Sequence, residues 1–385
     1  MPKMRQYFWL SLGEDLQNNE KQIKIDKWSI LRSVISILAG LGIILFFILN
    51  LDVSTIADKL KNAHIFWVIF AICIHMLAFL IRGYRWGVLL APAHPSEKKY
   101  ANLFVIALSG WALNAAFPGR VGDFARAYYL RTHEKVPISI GFASLFLEKV
   151  YDVAVMVLIS VFLFLFVIDK SLLPKEMFHG LVIVILFISF IVLCLILMMA
   201  FPNLGKRISD LIGKTIDCTI SKILPKIGNK LKSKLEGFIE MLINSTVQIS
   251  KDKECILLST IMTILIWVLE AERATCILIS FDMKAELSLI IFVFTFGTLL
   301  GLILPILPGN LGVLEFVLST LIMVMLSMSK ETSWAIVLVD RFVSFWFITM
   351  IGGLAIFLLS RAKDKDDRLK NEDELKEKVS VTIGK

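Results

Sequence analysis

The chain of 385 residues is 57% hydrophobic and only 19% charged, with a mean hydropathy of +0.77. Soluble proteins are about half apolar and about a quarter charged, so soluble and nucleic-acid-binding classes are excluded and an all-α integral membrane protein is expected. The net charge of +8 then belongs mainly to cytoplasmic loops, where Lys and Arg gather in membrane proteins.

A spanning helix needs about 20 mostly apolar residues. Residues 1–30 carry Glu14, Asp15, Glu20 and several lysines before any apolar run, and no small-residue cleavage site follows. They predict a cytoplasmic segment and not a signal peptide. The first membrane half, 31–200, opens with a span over 31–50 and a second over 66–90 that holds Arg82 and Arg85. An apolar segment over 101–117 stops at Asn114 and the Phe117-Pro118-Gly119 break, and a helix-like stretch over 120–131 carries Arg120, Asp123 and Arg126. The run 139–168 is charged early, at Glu148, Lys149 and Asp152, and 181–201 holds no charge. Residues 201–254 form a basic segment in which Lys222, Lys226, Lys230 and Lys234 flank an apolar stripe. This amphipathic helix either lies on an anionic leaflet or packs on the protein. The second half, 255–359, has spans at 255–280, 287–307, 311–328 and 335–359, broken at Pro308-Gly309, and a charged tail follows over 360–385.

With a cytoplasmic N-terminus, the inside segments hold 28 Lys and Arg and the outside loops 6, which predicts both termini inside. An internal repeat accompanies that topology. Pro118-Gly119-x-x-Gly122 recurs as Pro308-Gly309-x-x-Gly312. Arg85 lies 33 residues before the first break and Arg273 lies 35 before the second; Glu148-Lys149 begins 30 after the first and Asp340-Arg341 begins 32 after the second. The topology makes the two units, about 66–168 and 255–359, inverted copies, each with a broken helical hairpin. In transporters, such breaks meet at a substrate site near the membrane midplane.

Pro-Gly ends one helix and begins another, and backbone freed at membrane depth must face protein or a watery cavity. The new helix presents N–H groups suited to an anion, with Arg120 next to the first break and Asn310 placed to cap the second arm. Charges inside a membrane are costly and pair in the interior. Spacing predicts local pairs between Asp123 and Arg126 and between Glu270 and Arg273, with Glu148 and Asp152 on one helix face. Arg82 and Glu272 either join these interior pairs or reach toward opposite membrane faces, and His75 is expected to be a packed helix residue. The five cysteines form no C-x-x-C pair and the histidines are scattered, so no metal or other cofactor is expected.

The expected head-group site comprises Arg85, Asn114, Arg120, Asp123, Arg126, Glu148, Lys149, Asp152, Glu270, Arg273, Asn310, Glu315, Asp340 and Arg341. The expected backbone breaks are Pro118, Gly119, Gly122, Pro308, Gly309 and Gly312.

Three runs carry a family resemblance: Asn114 to Arg126, Glu148-Lys149-Val-Tyr-Asp152, and Pro305 to Glu315. Together they resemble the lysylphosphatidylglycerol synthase membrane-domain family, and over about 31–360 the chain is similar to the flippase half of the multiple peptide resistance factors. Relatives commonly have Glu-Arg where this chain has Glu148-Lys149; Lys keeps the charge and loses the two-pronged geometry. The resemblance implies movement of anionic, aminoacylated or isoprenoid lipids between leaflets of the cell membrane. In full-length relatives the aminoacyl transfer resembles the work of a separate soluble domain. Only 26 residues follow Leu359, a charged tail low in apolar residues, so this chain is expected not to aminoacylate a lipid by itself. The partners expected are membrane lipids and no nucleic acid, with a homo-oligomer left open. Two rival functions remain at this stage, a membrane-embedded transferase or hydrolase acting on a lipid-linked substrate and a small-solute transporter. No Walker loop, H-E-x-x-H or G-x-S-x-G is present.

Overall fold

A computed structural model of the chain describes residues 51–94, 100–117, 120–168, 174–201, 252–303 and 308–361, with isolated positions between them. The expected first span (31–50), most of the basic segment (201–254) and most of the tail lie outside the described residues, as do Pro118 and Gly119. Among the described residues the fold is helical throughout, without a β-strand. It is an all-α polytopic membrane architecture.

A short helix, α1 (Val53–Lys61), comes first, in a stretch where the sequence reading placed only an outside loop. Asp52 starts it: its carboxylate accepts hydrogen bonds from the Ser54 hydroxyl (2.6 Å), the Thr55 hydroxyl (2.8 Å) and the Ser54 N–H (3.0 Å). These bonds hold the exposed Asp52 carboxyl down at about 2, below its ordinary 3.8. Helix α1 packs against a late helix, α10.

Next come α2 (Ile65–Leu90), α3 (Tyr100–Ala116), α4 (Val121–Glu134), α5 (Ile138–Phe166) and α6 (Lys175–Ala200). The second half runs α7 (Lys253–Ser280), α8 (Leu287–Ile303), a 3₁₀ turn (Pro308–Asn310), α9 (Val313–Met325) and α10 (Lys330–Arg341). Helix α10 continues through a π-turn, Phe342–Phe347, as one helical run to Arg361.

Four helices are long and apolar enough to cross a membrane: α2, α5, α7 and the run Lys330–Arg361. At 1.5 Å per residue, a 26-residue helix reaches about 39 Å, against a hydrocarbon core of about 30 Å. The arms at the breaks are shorter. The 17 residues of α3 and of α8 reach only about 26 Å.

Helices α2 and α7 form the most extensive helix pair, and they run antiparallel. The His64 N–H, before α2, donates to the Ser280 carbonyl at the end of α7 (2.8 Å), while Cys255 at the start of α7 donates to the Val88 carbonyl near the end of α2 (3.4 Å). Around this pair α3 packs on α4 and α8 on α9. One apolar core joins α2, α5, α6, α7, α8, α9 and α10, with Phe164 stacked on Phe292 and Phe292 on Phe296.

The two breaks share a backbone solution. The residue after each Pro-Gly is left-handed, with φ of 55° at both Arg120 and Asn310. At the first break α3 and α4 cross closely enough that a Cβ on Gly122 would overlap the Gly110 carbonyl oxygen. At the second, Gly309 itself has φ of 58° and is pressed against the Phe345 ring.

Candidate functional site

Eight of the intramembrane charges form one connected chain. Arg85, fully buried on α2, donates to Asp152 on α5 (2.7 Å) and lies 3.7 Å from Glu148. Arg126 on α4 also pairs with Glu148 (2.9 Å) and stacks over Trp86 (4.3 Å). Arg82 bridges Asp152 (3.6 Å) and Glu270 of α7 (3.1 Å). Glu270 in turn meets Arg273 (2.9 Å), and Arg273 donates to Asp340 on α10. Each of these eight charges is therefore held by a partner of opposite sign, as a water-poor interior requires.

Equal sequence intervals separate members of this chain. Arg85 and Asp152 are 67 residues apart, and so are Arg273 and Asp340. Arg82 and Glu270, which join the two halves, are 188 apart; the same interval separates Arg85 from Arg273 and Asp152 from Asp340. These intervals set Asp340 level with Asp152, whereas the spacing from the Pro-Gly breaks set Asp340-Arg341 level with Glu148-Lys149. The sequence motif is one helical turn out of register with the ion pair that α5 makes.

Other sequence expectations are resolved or corrected. Arg82 does not reach a membrane face: it is buried between Asp152 and Glu270. Arg126 pairs across to Glu148, and no ion pair joins it to Asp123 among the described residues. Asp123 instead accepts from the Asn114 side-chain amide (3.2 Å). Asn310 does not cap α9. Its amide donates back to the Gly301 carbonyl (2.5 Å), because its left-handed backbone turns the side chain toward the helix just ended. Glu315 satisfies the start of α9, accepting from the Gly312 N–H (2.7 Å) and, through its other oxygen, from Arg341 (2.7 Å). Gly122 is served likewise: its N–H donates to the Asn114 side-chain oxygen (2.7 Å). The chain's own side chains therefore consume N–H groups that the sequence reading offered to a ligand. The local pair Glu270–Arg273 forms as expected, and Glu272 is exposed.

Between the two halves lies a cavity of about 200 Å³. Of the expected site residues, Asn114, Arg120, Lys149, Asp152, Glu270, Arg273, Asn310, Asp340 and Arg341 line it, with Gly309. Arg85, Asp123, Arg126, Glu148 and Glu315 stand outside the lining; of these, Arg85, Arg126, Glu148 and Glu315 hold cavity-facing or neighbouring charges in place. His75 is a wall residue that the sequence reading missed. Its Nδ1 lies 3.1 Å from Glu270, 195 residues away, and nothing in local spacing signals such a partner. Trp111 and Trp267 add aromatic wall, with Lys149 5.7 Å from the Trp111 ring centre and Arg82 5.7 Å from that of Trp267. Five wall bases, Arg82, Arg120, Lys149, Arg273 and Arg341, face three wall acids, Asp152, Glu270 and Asp340.

Long apolar helices, broken arms and a charged cavity walled by both halves define a multi-pass membrane protein with a polar interior. The sequence model of the family described as "Lysylphosphatidylglycerol synthase TM region" matches residues 30–352, and the chain belongs to that family. It is 24% identical to a UPF0104 membrane protein of Methanothermobacter thermautotrophicus, over 84% of this chain and 95% of that protein. A UPF0104 membrane protein of Methanocaldococcus jannaschii is also 24% identical, over 89% of this chain and 98% of its own length. A shorter similarity, 33% identity over 27% of this chain, reaches the glycosyltransferase AglD of Haloferax volcanii, of which it covers 16%.

Proposed function

We propose that the protein moves a lipid with a charged head group between membrane leaflets, through the cavity between its two halves. The observation that carries this reading is the cavity wall: nine of the residues expected from sequence to contact a head group surround a single interior space. The acyl chains stay in lipid while the head group crosses among the charges, which lowers the cost of taking it out of water. The identical 67-residue intervals and the antiparallel α2–α7 pair support two inverted copies around an axis through Arg82 and Glu270. The Lys and Arg asymmetry supports both termini on the cytoplasmic side of the cell membrane. In inverted-repeat transporters, one unit rocks against the other around a fixed site. No nucleotide-binding loop is present, so transport is passive or driven by a gradient.

Leaflet exchange of fluorescent lipids by the purified chain in liposomes tests this. Wild-type protein accelerates exchange, and Arg273→Ala or Asp340→Asn slows it at least tenfold. Wild-type liposomes no faster than protein-free ones overturn the reading. The partial similarity to a glycosyltransferase favours one rival, a transferase acting on a lipid-linked substrate. Chemical change of a lipid head group by purified protein would select that rival.

A further inference from the structure

We propose that the cavity selects a head group with net negative charge, a phosphodiester without a cation of its own, and seats it on Lys149 at the first break. This rests on the lipid-transport reading above. Arg82, Arg85, Arg126, Arg273 and Arg341 each form an ion pair with a buried carboxylate. Lys149 lies on the cavity wall, half-buried, and no carboxylate stands within 4 Å of it among the described residues. A half-buried ammonium whose opposite charges, Asp123 first among them, act only from beyond ion-pair distance has room for an anion.

The totals agree. The interior holds seven bases, these five with Arg120 and Lys149, against six acids once the exposed Glu272 is set aside. One positive charge is in excess, which a singly charged phosphodiester neutralises. A zwitterionic or aminoacylated head group brings its own ammonium into a wall that is already positive, and is disfavoured. The second break offers no equivalent seat. Its cation, Arg341, is occupied by Glu315 and by the Gly309 carbonyl (2.8 Å). Trp111 flanks Lys149 and supplies an apolar surface beside the charge.

The test compares phosphatidylglycerol and phosphatidylcholine carrying the same fluorescent acyl chain, each in leaflet exchange by the full chain in liposomes. Wild-type protein moves phosphatidylglycerol at least tenfold faster. Lys149→Gln brings the two rates to within twofold of each other, chiefly by slowing phosphatidylglycerol, while Lys149→Arg keeps the preference. Equal wild-type rates, or a preference that survives in Lys149→Gln, overturn the inference and leave lipid transport standing. No exchange of either lipid by wild type defeats the transport reading itself. Thermal denaturation of each variant separates loss of selectivity from loss of fold. Glycerol phosphate in solution distinguishes the source of the phosphate. A Lys149-dependent thermal stabilisation by millimolar glycerol phosphate as large as that by short-chain phosphatidylglycerol would make this a site for free phosphate and overturn the lipid assignment.

Discussion

The Arg82–Glu270 pair offers the sharpest test of the proposed two-fold arrangement. Its 3.1 Å contact corresponds, at an effective dielectric of about 20, to about 5 kcal/mol of gross attraction, and the 3.6 Å contact of Arg82 with Asp152 to a similar amount. Desolvation offsets much of this, and removing one member of a buried pair typically costs about 3–5 kcal/mol because the other charge is stranded. Arg82→Met and Glu270→Met should each lower the apparent melting temperature by on the order of 10 °C. The informative variant is the exchange, Arg82→Glu with Glu270→Arg. Around an ordinary pair, the new Glu would face Asp152 and the new Arg would face Arg273, and the exchange would repel twice. Around a two-fold axis it reproduces the native network seen from the other side: Glu at 82 stands to Arg85 as Glu270 stands to Arg273. The exchange variant should therefore recover at least half of the loss measured for the singles, in melting at a fixed scan rate and in leaflet exchange. Recovery stops short of complete because the position equivalent to His75 is Thr263, which already accepts from Arg85 (2.7 Å). An exchange variant no more stable than the worse single variant would refute the symmetry argument.

Three further outcomes follow from the packing and the caps. Gly122→Ala should destabilise by about 1–3 kcal/mol, seen in thermal denaturation, because its Cβ would strike the Gly110 carbonyl and force α3 and α4 apart. Glu315→Gln keeps an acceptor for the Gly312 N–H but strips the carboxylate from Arg341; about 3–5 kcal/mol should be lost, and Glu315→Gln with Arg341→Met should recover part of it. The Asp52 cap is fully ionised above its ordinary 3.8 and loses its contribution only as pH falls through about 2. Protection of the Ser54 and Thr55 amides from hydrogen exchange should accordingly be the same at pH 5 and pH 7, and should fall in Asp52→Ala at either pH.

The sequence revealed what depends on composition and local order. Among the described residues, the runs read from sequence place nine helices with bounds no more than six residues off, and Pro-Gly-x-x-Gly marks the 3₁₀ turn at Pro308–Asn310. Long-range partners were less legible. Spacing puts Asp123 and Arg126 on one helix face, yet Arg126 turns to Glu148, because the rotation of α4 against α5 decides which charge it meets. His75 looked inert since its partner sits on α7, nearly two hundred residues later. Asn310 has a capping residue's chemistry, but a left-handed backbone points that chemistry the other way. Helix α1 escaped notice because it is too short and too polar to register as a span; its signature is the Asp52 cap.

The opposite charges at 82 and 270 also bear on how such a molecule arises. In a dimer of two identical half-chains, a residue on the symmetry axis meets its own twin, and two arginines or two glutamates would face each other there. A self-pairing ancestor would have needed an uncharged side chain at that point. Once both halves are written in one gene, each copy of the position mutates alone, and one becomes Arg while the other becomes Glu. If the two halves are the inverted copies proposed above, the Arg82–Glu270 pair is open to a fused chain and closed to a dimer of identical halves, and half-chains expressed separately should not reassemble as pairs of like halves.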